Sequence, residues 1–167
     1  MANPLNKLTY GLYVTGVKNG EDYGGSIVDA LIQAADSPAL LVLSSMKSSN
    51  TNALIKQTGE FAVSVLPQDV DPFIIANFGF QSSRTVSKWA NVPHTIKEGL
   101  PYLNCAAAQI RCKLVELKEL GTHTLFFAEV IEASANDDSK SLSYEDYNTR
   151  LKTEAAKAFS EYRAKQK

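Results

Sequence analysis

Six segments of the chain are rich in apolar and β-branched residues and are bounded by Gly, Pro, Asn or Asp: TYGLYVTGV, GGSIVDALIQA, PALLVLSSM, EFAVSVL, LNCAAAQIRCKLVEL and HTLFFAEVIEA. That pattern predicts six strands. Between the third and fourth, Ser49 or Asn50 can cap a helix running through Leu54, Ile55 and Gln57, which Gly59 can close in the left-handed conformation. DVDPFIIANFGF predicts a second short helix, QSSRTVSKW reads as a polar loop leading to the only Trp, and the rest of the middle reads as irregular. From about Tyr144 to Lys165 the strand signals vanish, and Leu151, Ala155, Ala158, Phe159 and Tyr162 recur at helical spacing. Strands mostly without βαβ alternation predict a mainly β, antiparallel barrel with peripheral helices and a C-terminal helix. No repeat or long linker divides the 167 residues, so the expectation is a single domain, with the barrel over about 5–142 and the helical segment over about 144–165.

Charge narrows the partners. Seventeen Lys and Arg against eighteen Asp and Glu leave a net charge of -1, so no overall field draws the chain to nucleic acid or an anionic membrane. A small partner is expected. No apolar run approaches the roughly 18 residues of a membrane span, and MANPLNKLTYG lacks the pattern of a signal peptide, which predicts a cytoplasmic protein. Cys105 and Cys112 both read as small buried hydrophobes, and His94 and His123 stand too far apart for any HExxH arrangement; no metal site is expected. GxGxxG, GxxxxGK[ST] and GxSxG are all absent, which removes the Rossmann, P-loop and α/β-hydrolase readings.

Two short windows stand out against this balance. SSMKSSNT (44–51) follows a strand and opens a helix, and QSSRTVSK (81–88) lies in the loop; together they hold seven Ser, two Thr, two Lys and one Arg, and no acid. Short hydroxyls, free N–H groups at a helix start and cations without nearby carboxylates suit a phosphate.

Five blocks in order, LTYGLYVTGVKNGEDYGG, GSIVDALIQAADSPALLVLSS, NALIKQTGEFAVSVL, FGFQSSRTVSKW and GTHTLFFAEVIEA, resemble the flavin reductase-like FMN-binding split barrels over roughly residues 5–147. The closest look is to the small flavoredoxin and ferric-reductase-like members. The resemblance implies a six-stranded Greek-key split barrel that forms a homodimer and holds FMN, with FAD as the alternative flavin. Hydride would come from NAD(P)H as a transient co-substrate, and electrons would leave to a separate acceptor: flavin, ferric iron, rubredoxin or oxygen. A flavin-binding or electron-shuttle protein without NAD(P)H turnover is the second reading.

By the same resemblance Asp29, Ala30, Leu31 and Gln33 face the isoalloxazine and ribityl chain, and Ser45, Met46, Lys47, Asn50 and Thr51 contact ribityl and phosphate. Ser82, Ser83, Arg84 and Lys88 close on the phosphate, uniting the two windows, and His123 is the catalytic candidate over the ring. Asp29, Ala30 and Ala35 depart from the Asn or Ser, Thr or Trp, and Ser or Thr usual in such proteins, and the C-terminal segment looks helical where relatives carry a Gly, Pro and Lys-rich tail.

Overall fold

A computed structural model describes residues 2–167. Strands β1 (Tyr13–Asn19), β2 (Asp22–Val28), β3 (Leu31–Asp36) and β4 (Ala39–Met46) precede helix α1 (Asn50–Thr58), strand β5 (Glu60–Val65) and helix α2 (Pro72–Gly79). A hairpin of β6 (His94–Lys97) and β7 (Leu100–Leu103) leads to the long pair β8 (Ala108–Glu119) and β9 (His123–Ala135). The chain ends in a short turn of helix, α3 (Tyr144–Asp146), a π-helical turn (Tyr147–Leu151) and α4 (Lys152–Ala164).

Seven strands form one antiparallel sheet in the order β2-β1-β5-β8-β9-β4-β3. Strands β2 and β3 therefore occupy opposite edges although only Asp29 and Ala30 separate them in sequence. Two residues span about 7 Å at most, so the sheet must curl until its edges meet at that point. The result is a barrel split between β2 and β3. Its interior is filled by Val17, Leu41, Leu43, Phe61, Val63 and Phe126, and α1 contributes Leu54 and Ile55. A second core lies outside the barrel, where α2, Trp89 and the C-terminal helices pack on Leu12, Val14 and Leu66.

The helices follow their sequence signals. Ser49 caps α1 by accepting from the N–H of Thr51, and Gly59 ends it at φ 71°, the left-handed geometry that a side chain resists. Asp71 caps α2, with Pro72 in its first turn. Leu151 and Ala155 are buried and Phe159 and Tyr162 half-buried, as the helical spacing predicts.

The count of six strands is corrected to nine. GGSIVDALIQA is two strands, broken at Asp29–Ala30, because an unbroken strand could not serve both edges of a curled sheet. HTIK and LPYL, read as irregular, form the β6–β7 hairpin around Glu98 (φ 50°) and Gly99 (φ 75°). Both turn residues carry positive φ, which a Glu-Gly pair signals more weakly than Asn-Gly. Cys105 is also corrected: it is exposed in the turn before β8, whereas Cys112 is buried within β8, where burial pushes its thiol up to about 12. Among the described residues no helix is long and apolar enough to cross a membrane.

Candidate functional site

The split holds a cleft of about 400 Å³, within the common size range of ligand sites. Its floor exists because β2 carries two glycines in its middle, Gly24 and Gly25, that admit the 81–89 loop. Ser83 Oγ accepts from the N–H of Gly25 and donates to its carbonyl, both at 3.0 Å. Trp89 Nε1 donates to the Gly24 carbonyl at 3.0 Å. A Cβ on Gly25 would lie 2.7 Å from Thr15 O and 2.9 Å from Trp89 Nε1, so a side chain there would push the loop off the strand. Gly25 turns its N–H and C=O to the open edge of β2, and Ile27, two residues on in the same phase, presents its own pair toward the cleft it lines. Such a donor–acceptor edge matches a flat heterocyclic amide.

The opposite wall is the start of α1. Asn52 Nδ2 donates to the Ser45 carbonyl at 3.2 Å, which pins the end of β4 beneath the helix. The first turn of α1 contains no acid, so its free N–H groups keep an uncompensated partial positive charge. Thr51, 2% exposed and lining the cleft, has a buried Oγ1 with no hydrogen-bond partner. Leaving such a group unpaired costs about 1–3 kcal/mol, which a ligand oxygen would offset. Arg84 Nη1 donates to the Ser48 carbonyl at 3.0 Å. That bond joins the two acid-free windows across one space, and the donor set fits a phosphate.

The structure brings most of the sequence-predicted residues together. Asp29, Ser45, Met46, Asn50 and Thr51 line the cleft, as do Ser82, Ser83, Arg84, Lys88 and His123. Ala30 lines an adjoining recess with Tyr10, Ser44 and His123. Leu31 is buried among barrel residues and reaches only a neighbouring hollow beside Tyr10 and Tyr13. Gln33 lies elsewhere: exposed on β3, it donates to Ala35 O and Asp36 Oδ1. Lys47 is also outside the cleft, its ammonium 3.2 Å from Glu119. Gln33 stands beside a bulge in β3, where Ala35 and Asp36 take its amide, and Lys47 lies in the turn after β4, where Glu119 at the end of β8 draws its ammonium away.

Lys88 differs from a free phosphate-facing cation. It is 2% exposed, and its Nζ donates to Gly25 O at 2.9 Å and Phe78 O at 2.8 Å, tying β2 to the end of α2. An ammonium has three N–H groups, so one remains beyond these two bonds. Burial pushes its pKa down to about 8. Beside the site, the Lys56 ammonium, ahead of Lys47 and Thr124, holds the Glu119 carboxyl down to about 2. This network steadies the end of the β8–β9 hairpin. His123 opens β9, and its Nδ1 shares a 2.8 Å hydrogen bond with Thr122 Oγ1, which restrains the ring.

Residue-by-residue reading of the sequence missed Gly25, Ile27, Ser44, Ser48, Ser49 and Gln81, all of which line the cleft. The available signal was the Gly24-Gly25 pair inside a strand, a mark of close backbone approach.

Residues 5–154 match the family model described as "Flavin reductase like domain". The ferric-chelate reductase (NAD(P)H) of Archaeoglobus fulgidus is 33% identical over 93% of this chain and 94% of its own length. The high molecular weight rubredoxin of Moorella thermoacetica is 31% identical over 86% of this chain, which spans 64% of that protein. Among solved structures, the NADH:FAD oxidoreductase of Streptomyces globisporus superposes with a TM-score of 0.76 at 24% identity, covering 81% of each chain, and so shares the fold.

Proposed function

Because this chain belongs to the flavin reductase-like domain family, we propose that it binds FMN in the split of its barrel, accepts hydride from NAD(P)H and passes electrons to a separate acceptor. The observation that carries this reading is the pairing of the orphaned Thr51 Oγ1 with Arg84 across the acid-free start of α1. Two relatives support the rest: one is named for ferric-chelate reduction with NAD(P)H and another is a rubredoxin, which favours ferric iron or a redox protein as the acceptor, with free flavin and oxygen as the other acceptor classes proposed. FAD remains an alternative flavin, consistent with the cofactor named for the Streptomyces protein.

When bound, FMN supplies the ring that takes hydride and releases electrons. The chain supplies position and electrostatics. Thr51, the N–H groups opening α1 and Arg84 hold the phosphate, and Ser82 and Ser83 shape the loop that closes over it. The backbone N–H and C=O of Ile27, which lines the cleft, would hold the amide-like edge of the ring. Asp29 and His123 line both the cleft and the recess beside it, and that open recess gives nicotinamide a place to stack beside His123.

A homodimer is part of this proposal. Ile32, Val42 and Phe127 stand in one cross-strand row on the outer face of β3, β4 and β9, with Leu125 beside them. Ile32 is 64% exposed, and an apolar row of this kind is suited to a second copy covering it next to the recess. Size-exclusion chromatography should give a dimer; a monomer with stoichiometric flavin would remove this part of the reading.

Function is tested by adding FMN to the purified protein and then NADH or NADPH without oxygen. Loss of the flavin's visible absorbance, followed by electron delivery to ferric iron or a redox protein, is expected. Flavin bound tightly but never reduced would make the protein a carrier instead.

Lys88 adds a pH dependence. A phosphate nearby favours the ammonium, so binding FMN raises the Lys88 pKa above its free value of about 8. Its contribution is complete below that value and lost as pH rises through the higher value in the complex. FMN affinity should therefore fall from about pH 8 upward, by at most about tenfold per pH unit, while riboflavin, which shares the ring but lacks the phosphate, sets the baseline. Parallel fluorescence titrations of the two flavins from pH 7 to 10 read the difference; identical profiles would separate Lys88 from the phosphate.

A further inference from the structure

We propose that α4 is a positioning element of the flavin site, with Phe159 and Tyr162 holding the cleft-closing loop from behind; the inference rests on the flavin reading above. The matched family span ends at residue 154, so both residues lie beyond it. Leu151 and Ala155 anchor the start of the segment in the outer core, and its last turns reach the back of the loop.

The contacts form two routes. Phe159 meets Phe80 edge to face, ring centroids 5.6 Å apart, directly before the cleft-lining Gln81. Tyr162 packs on Phe73 of α2 with centroids 5.2 Å apart, and its hydroxyl oxygen accepts from Asn91 Nδ2 at 3.2 Å. That amide donates its other hydrogen to Asn77 Oδ1 at 3.0 Å. Asn77, fully buried in α2, grips both ends of the loop: its Oδ1 accepts from Gln81 Nε2 at 2.8 Å, and its Nδ2 donates to the Lys88 carbonyl at 2.9 Å. Between those ends stand Ser82, Ser83 and Arg84.

One hub thus holds both ends of the phosphate-closing segment, and α4 reaches that hub through the Tyr162–Asn91 bond. Asn77 is the buried centre of this network and Gln81, Asn91 and Tyr162 are half-buried around it, so each member's bonds hold the geometry of the next. Removing the Tyr162 hydroxyl frees Asn91 to turn, and removing the Phe159 ring leaves Phe80 unsupported. Both changes act on the loop and neither touches the wall formed by α1. The loss should fall on phosphate recognition and spare the ring.

The test compares FMN and riboflavin affinities of the full-length protein, its Tyr162→Phe variant and the Tyr162→Phe/Phe159→Ala pair, alongside thermal melts without flavin. Tyr162→Phe retains the ring stacking and should weaken FMN by about three- to tenfold, a hydrogen bond's worth, with riboflavin unchanged. The pair should lose more, and Phe159→Tyr should restore most of the ratio. A merely structural helix would lower the melting temperature while leaving the FMN-to-riboflavin ratio at its wild-type value, and that result overturns the proposal. If the wild-type protein itself does not favour FMN over riboflavin, the phosphate reading fails first and this inference falls with it. Should the double variant not fold, the Tyr162→Phe ratio alone decides.

Discussion

Arg84→Ala is expected to weaken FMN binding by about ten- to a hundredfold while riboflavin binding changes by less than about twofold. A charge-assisted hydrogen bond contributes about 1.5–3 kcal/mol, which sets the range. Arg84 is exposed, so solvent screens it, and the lower half of the range is expected at physiological salt. Raising the ionic strength should narrow the gap between wild type and variant, since screening removes from the wild type what the mutation removes outright. The substitution also breaks the Nη1 bond to Ser48 O, the direct link between the two windows. Arg84→Lys tests that part: it keeps a cation but not the planar fork, so it should recover only a fraction of the affinity. Equal losses for FMN and riboflavin would show that Arg84 supports the ring or the fold and not the phosphate.

Trp89→Ala should produce the largest stability loss among single changes at the site, about 3–5 kcal/mol. Trp89 is 1% exposed, packs edge to face on Phe78 at 4.8 Å, and donates to the Gly24 carbonyl. The truncation removes the indole's packing, opens a cavity in the outer core and removes one partner of that carbonyl. In a chain of this length the melting temperature should fall by roughly 6–20 °C. FMN uptake should fall with it, because the same indole holds the 81–89 loop against β2. Trp89→Phe refills part of the volume without the N–H donor and should lie between the two. A melting temperature within about 2 °C of wild type would contradict the role given to Trp89 in joining core to site.

These two expectations rest on information of different origin. The basic and hydroxyl character of 44–51 and 81–88 is local composition, and local composition was readable before any fold was known. Helix α1 was likewise legible at both ends, because Ser49 and Gly59 act on their own neighbouring backbone. The C-terminal helix was visible in its spacing for the same reason.

Pairing across the fold was not legible. Nothing local marks Asp29–Ala30 as a break between opposite edges of a sheet; that break follows from the curl of seven strands. Lys88 illustrates the limit sharply. As a cation in an acid-free loop it read as a phosphate ligand, but its two carbonyl partners lie 63 and 10 residues away, so only the fold could show the ammonium holding β2 to α2. Gln33 is held by Ala35 and Asp36 around a bulge, and Lys47 by Glu119 from the far end of β8, neither of which the local sequence marked.

The sequence by itself thus determined which segments could be strands and helices and which two could attract an anion, because propensity, capping and charge act over a few residues. Only the tertiary structure decided which donors are free to meet a ligand. A side chain's availability depends on every partner the chain brings to it, and here those partners come from β2, α2 and, through Tyr162, from the last helix.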